Sequence, residues 1–222
     1  FLSFSPENVT SYELGAKADL LGERLRSNVA MYLADYGDVQ LGQWVPDPVQ
    51  GANVVRQNAG QARVQGVELE ITGLIGQLKL MGAMGLADGR FTQLNPNVSD
   101  VTLDTALALP RTTYSLAADL PLHFSAGTAQ LHADYAWHSD DNDSEFDAIC
   151  QCHNAHGLLN ARLDFGFSGT GAAVSVWARN LGNTRYMAQS VDFGYLTISI
   201  PGDPRTYGVS LSYNFGTHPS AL

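Results

Sequence analysis

The feature that most constrains this chain is alternation: apolar and polar residues exchange at every second position over run after run. Tyr12, Leu14, Ala16, Ala18 and Leu20 fall on one side of such a run, with Ser11, Glu13, Gly15, Lys17 and Asp19 on the other. A period of two is the signature of a β-strand with one apolar and one polar face, and it is incompatible with an amphipathic helix. Further runs set Val29, Met31 and Leu33 against Arg26, Asn28 and Tyr32, and Val67, Leu69 and Ile71 against Glu68, Glu70 and Thr72. Tyr114, Leu116, Ala118 and Leu120 oppose Ser115 and Asp119; Leu131, Ala133, Tyr135 and Trp137 oppose His132, Asp134 and His138. Leu159 to Phe165 oppose Asn160, Arg162 and Asp164, and Tyr207, Val209, Leu211, Tyr213 and Phe215 oppose Thr206, Ser210 and Asn214. With weaker runs at 78–86 and 172–181, the pattern predicts an all-β, antiparallel meander of about nine strands of about ten residues, the length of a tilted membrane-crossing strand.

The connections alternate as well. Segments 22–23, 73–77, 121–127 and 169–171 are short and turn-like, whereas 39–56, 90–105, 139–154 and 183–204 are long and polar. Short turns at one end and long loops at the other are expected of an outer-membrane barrel, turns inside and loops outside. A soluble carbohydrate-binding β-sandwich also alternates, but needs a packed core. The apolar faces here are rich in small residues (Ala16, Ala18, Ala118, Ala133, Ala161), and aromatics gather near strand ends (Tyr36, Trp44, Tyr135, Trp137, Tyr207, Tyr213, Phe215), as interfacial girdles require.

Bulk properties are consistent with this. The mean hydropathy is −0.08, because in a barrel strand the lumen face dilutes the lipid face. The net charge of −10 argues against a nucleic-acid partner, which needs clustered Lys and Arg. The chain begins at Phe1 and shows no signal peptide, so a fragment of a longer protein is expected.

Four motifs carry a family resemblance. Ser5-Pro6-Glu7 is followed by Ser11-Tyr12-Glu13-Leu14-Gly15-Ala16-Lys17; Asn58-Ala59-Gly60 by Gly66-Val67-Glu68-Leu69-Glu70; Ala178-Arg179-Asn180-Leu181-Gly182-Asn183 by Tyr186; and Pro204-Arg205-Thr206-Tyr207-Gly208 leads to Phe215. In this order and spacing they resemble the C-terminal barrel strands of TonB-dependent receptors. The resemblance implies a transmembrane barrel of about 22 strands around a plug, of which residues 1–215 supply the last nine or so. It implies residence in the bacterial outer membrane and energy-coupled uptake of a scarce small-molecule ligand such as a ferric siderophore or other metal chelate. Its implied partners are outer-membrane lipid, the plug and the other part of the barrel, TonB acting through an N-terminal segment outside this chain, and the barrel assembly machinery. The last would read the terminal strand, Tyr207, Val209, Leu211, Tyr213 and Phe215. Residues 216–222 follow where the family stops, and Pro219 cannot join a ladder, so a disordered periplasmic tail is expected. A passive or adhesive barrel without energy coupling is the rival within the same fold.

No catalytic constellation is present, and neither an enzyme nor a cofactor is expected. Glu68 and Glu70, at i and i+2, share a face but lack an accompanying nucleophile or oriented histidine. With Glu13, Lys17, Arg26, Asp134, Arg162 and Arg179 they are expected to face the lumen and contact the plug. Asp140 to Glu145 lacks the glycine and the spaced glutamate of a calcium loop and is expected to be a solvated outer loop. Cys150, Cys152, His153 and His156 have metal-ligand chemistry, but one residue between the cysteines is a poor match to zinc spacing and too short for an unstrained disulfide. No metal site is expected from them.

Overall fold

The computed structural model describes residues 4–47, 51–98, 101–104, 107, 109–141, 154–192 and 197–215. Cys150, Cys152, His153 and the tail 216–222 therefore lie outside the described residues, as does the acidic segment from Asn142 on.

Among the described residues eleven strands form in chain order: β1 (Asn8–Leu20), β2 (Leu25–Asp47), β3 (Gly51–Ile75), β4 (Leu78–Leu94), β5 (Thr112–Phe124), β6 (Gly127–His138), β7 (His156–Phe167), β8 (Ala172–Arg179), β9 (Met187–Asp192), β10 (Thr197–Pro201) and β11 (Thr206–Tyr213). Nine make one sheet in the order β1-β2-β3-β4-β5-β6-β7-β8-β11, and β9 with β10 forms a separate hairpin. Every pairing in the large sheet is antiparallel. The sheet is open: β1 and β11 are its edges and do not pair with one another.

The register carries one apolar face across the whole sheet. Leu14 lies opposite Met31, Met31 opposite Val67 and Val67 opposite Leu86. In the second half Leu120 faces Leu131, Leu131 faces Leu163, Leu163 faces Val176 and Val176 faces Val209. A one-residue slip anywhere would turn a strand's apolar set to the wrong face, so the alternation itself fixes the register. No second layer of described residues covers this face. Leu116 and Val176, on interior strands, remain 59% and 52% exposed, and no large side chain among the described residues is fully buried. A β-sandwich is thereby excluded, because its apolar faces would be packed against each other. Apolar surface of this extent on a chain of −10 charge requires an apolar solvent outside it.

Two aromatic belts bound the apolar face. Toward the loop end, Tyr114 stacks with Trp137 at 5.0 Å and meets Tyr135 at 6.0 Å. Toward the turn end, Phe124 and Phe165 lie 6.3 Å apart, Phe165 and Phe167 4.9 Å, and Tyr213 and Phe215 4.8 Å. Amphipathic and aromatic rings take such positions at the two membrane–water interfaces. Tyr36, expected in the girdle, instead shares the polar face with Arg26 and Tyr32; the side chain of Trp44 is outside the described set.

The turns 21–24, 76–77, 125–126 and 168–171 are short as expected, and 95–111, 139–155 and 180–205 are long, but β2 and β3 are joined by residues 48–50 alone. Three boundaries differ. The polar segment 39–56 is mostly strand, since β2 and β3 run for 23 and 25 residues, well past the roughly ten that cross a bilayer. On the outward face the apolar band ends at Leu33, Val67 and Leu86; Leu33 already pairs with Gln65 and Gln65 with Asp88, and the following row is Asp35, Arg63 and Arg90, with Arg63 Nε 2.7 Å from Asp35. Polarity there marks the exit from the apolar layer, not the end of the strand. Similarly β4 continues to Leu94. At the other end, β5 continues through Pro121 to Phe124. Pro121 lies beyond the last β4 partner, Asp119, at a local edge where proline is tolerated.

Candidate functional site

The polar face is the candidate site. Glu13, Lys17, Arg26, Glu68, Glu70, Asp134, Arg162 and Arg179 all fall on it, as the register links Lys17 to Asn28 and Glu70, and Asp134 to Asn160. They do not converge on one point; they are spread across the sheet, and several of them are held by neighbouring polar side chains. Arg26 Nε donates to Asp19 at 2.7 Å, and Asn28 donates to Glu70 at 3.0 Å. His132 sits between Asp119 at 2.7 Å and Asp134 at 3.3 Å, and Asn160 donates to Asp134 at 2.8 Å. Arg162 donates through Nε to both carboxylate oxygens of Asp164, at 2.7 and 2.9 Å, and through Nη2 to Ser175 at 3.0 Å. Ser175 in turn donates to Asp164. Arg179 lies 5.6 Å above the Trp177 ring, a cation–π distance. These pairings make a hydrophilic wall suited to holding water or another polar body, and among the described residues no oriented nucleophile and base stand together on it.

The loop end of this face is more ordered than its sequence suggests. Asn180, buried and at φ 49°, donates from Nδ2 to the carbonyls of Thr184 and Asp203 at 2.9 and 3.0 Å and accepts the Thr184 N–H at 2.8 Å. Its own N–H donates to Asn160 at 3.0 Å, tying the last outer loop to the polar wall. Asn58 plays the same part on the other side: it accepts the Ser5 N–H at 2.7 Å and donates to the Ser5 carbonyl at 2.9 Å and the Asp38 carbonyl at 2.6 Å. Glu7 accepts the N–H of Gln40. Three of the sequence motifs are thus loop anchors.

At the mouth, His138 and His156 are direct cross-strand partners. Their Nε2 atoms approach to 3.3 Å, and Tyr186 stacks on His156 with ring centroids 4.4 Å apart. By nearness along the chain His156 groups with Cys150, Cys152 and His153. The fold brings it instead to His138, 18 residues away. The available signal was that both histidines sit on the polar side at the two ends of one loop. A cavity of about 520 Å³ opens beside the pair, with Glu68, Glu70, Gly85 and Thr113 on its walls.

Against this geometry, the model for the β-barrel of TonB-dependent receptor-like proteins matches residues 2–181. The chain belongs to the TonB-dependent receptor family. Members are outer-membrane β-barrels and receptors rather than enzymes. The metal-pseudopaline receptor CntO of Pseudomonas aeruginosa is 29% identical over 219 residues, covering 96% of this chain and 28% of that protein. The ferric yersiniabactin receptor FyuA of Yersinia pestis shares the fold with a TM-score of 0.79 at 19% identity, over 96% of this chain and 31% of that one. The ferric preacinetobactin receptor BauA of Acinetobacter baumannii follows at 0.66 and 24% identity, over 95% and 30%. The chain therefore spans a little over a quarter of the length of the curated relatives it matches.

Proposed function

We propose that this chain is the C-terminal wall of an outer-membrane receptor that takes up a metal chelate at the expense of energy relayed by TonB. The observation that carries the reading is the continuous outward apolar band, framed by aromatic belts, on a sheet whose long connections all lie at one end. Relatives named for metal-pseudopaline, ferric yersiniabactin and ferric preacinetobactin support the ligand class. In this reading the barrel has about 22 strands. The two open edges, β1 and β11, are closed by the remaining strands, since unpaired backbone in lipid is too costly. The plug docks on the inner charges, among them Glu13, Lys17, Arg26, Glu68, Glu70, Asp134, Arg162 and Arg179. The ligand is held between plug and loops. Residues 1–215 complete the barrel and 216–222 trail into the periplasm.

The test is accumulation of a radiolabelled metal chelate by cells making the full-length protein, with and without a functional TonB. Uptake that stops without TonB supports the reading. Diffusive entry that ignores TonB favours the passive barrel.

A further inference from the structure

We propose that Arg63 and Arg90 form a binding site for the phosphate of a phosphorylated glycolipid in the outer leaflet of the membrane. The two arginines are direct cross-strand partners on β3 and β4. Both stand on the outward face: Leu69, Val67, Gln65 and Arg63 follow at every second position of β3, and Met84, Leu86, Asp88 and Arg90 do so on β4. Like charges directly opposite one another on a sheet repel and destabilise it. Asp35 offsets one of them, since Arg63 Nε donates to it at 2.7 Å. Arg90 is exposed, and its guanidinium makes no ion pair or hydrogen bond among the described residues, although Asp88 shares its face. The row thus holds two guanidinium groups and a single carboxylate in contact with them, an arrangement that a further anion would settle.

The place of the pair on the sheet selects the anion. Lys17, Arg26, Lys79, Arg162 and Arg179 all lie on the lumen side of their strands. From the turns up to the Arg63 row, the outward positions of the paired strands carry no other Lys or Arg. Snorkelling cations in general would serve both interfaces; these two stand only at the loop end, where the outer leaflet lies.

Their height agrees. Arg63 is four residues beyond Val67, and Arg90 four beyond Leu86. At about 3.3 Å per residue and a strand tilt of about 45°, they sit roughly 9 Å above the end of the apolar band. The polar layer of one leaflet is about 5–7 Å deep, and an arginine stem bends back along apolar surface to bring its head to the favoured level. The guanidinium groups therefore reach lipid phosphates whose acyl chains run down past Leu86 and Val67. Arginine is suited to this partner because its planar fork matches phosphate oxygens and the hydrogen bonds are charge-assisted. With Nε held by Asp35, Arg63 keeps its terminal nitrogens for the phosphate, and Arg90 offers its whole fork. The site needs only the outer-membrane residence of the family and does not depend on the uptake reading.

The experiment uses the full-length protein in phosphatidylcholine nanodiscs, titrated with lipopolysaccharide or with lipopolysaccharide stripped of its phosphates, and counts bound glycolipid by native mass spectrometry. Wild-type protein should retain the phosphorylated form and release the stripped one. Arg63→Gln and Arg90→Gln should each weaken retention about tenfold, the effect of losing one hydrogen bond to a charged group, and Arg90→Lys should weaken it less. Arg24→Gln, which removes a cation at the turn end, should leave retention unchanged. The heat-modifiable gel band reports that each variant is folded. If Arg63→Gln fails to fold for want of its bond to Asp35, Arg90→Gln alone carries the test, because the Arg90 guanidinium holds no other described residue. Equal retention of the stripped lipid, wild-type retention in folded Arg90→Gln, or an equal loss in Arg24→Gln overturns the site.

Discussion

Asn180 grips Thr184 from both sides, accepting its N–H at 2.8 Å and donating to its carbonyl at 2.9 Å. One side chain thereby replaces a turn's worth of backbone hydrogen bonds, and a third bond to the Asp203 carbonyl closes the base of the loop that holds the β9–β10 hairpin. Asn180 also tolerates its left-handed backbone, φ 49°, because asparagine is among the few residues that enter that region cheaply. Replacing Asn180 by Gly keeps the backbone freedom and removes only the side-chain bonds. At about 1 kcal/mol for each of three bonds, Asn180→Gly should cost roughly 2–4 kcal/mol and admit protease into residues 181–205 of cells displaying the protein. Wild-type protease resistance in Asn180→Gly would show that the backbone conformation, not the side chain, holds the loop.

The two faces of β6 should respond oppositely to a positive charge. Leu131 lies mid-band on the outward face, between Leu120 and Leu163, while its neighbour Gln130 faces inward opposite Asp164. Leu131→Arg should destabilise the folded barrel by about 2–4 kcal/mol, the depth-dependent cost of arginine near the bilayer midplane. Gln130→Arg should stay within about 0.5 kcal/mol, as for a solvated surface. Denaturant titration in lipid vesicles separates them; equal effects would mean that the faces are assigned the wrong way round.

The terminal strand is expected to guide assembly. Tyr207, Val209, Leu211 and Tyr213 present one face of an edge strand, and Phe215 is 92% exposed beside Tyr213. An exposed edge offers backbone hydrogen bonds for recognition and alternate side chains for specificity. Phe215→Ala should slow membrane insertion and lengthen exposure of the precursor to periplasmic proteases in a pulse-chase. Deletion of 216–222 should leave insertion unchanged. The reverse pattern would place the end of the barrel beyond Phe215.

The sheet was legible because alternation is a local property that also fixes register: the faces read from single runs, such as Leu159 to Phe165 against Asn160 to Asp164, are the faces that pair across strands. Boundaries were less legible where polarity changed for a reason other than chain reversal. Asp35 and Arg63 are polar because they leave the apolar layer, yet they remain in register. Pro121 reads as a turn, yet occupies a strand position that its neighbour no longer pairs. The charged wall could be named from sequence, but not its cross-strand pairings: that His132 meets Asp119 as well as its own strand's Asp134 depends on lateral strand contacts. The His138–His156 pair was hidden for the same reason. The motifs at Asn58 and Asn180 were visible as patterns, and their reason is structural: each is an amide that satisfies several loop backbone groups at once.

The central claim is that the outward apolar face meets lipid, and the most direct measurement is where the full-length protein resides and how it behaves on heating. Cells should deposit it in the detergent-extracted outer-membrane fraction, and it should migrate differently in a gel before and after boiling, as a closed hydrogen-bonded barrel does. Recovery as a stable, soluble monomer whose migration is unaffected by boiling would contradict the account.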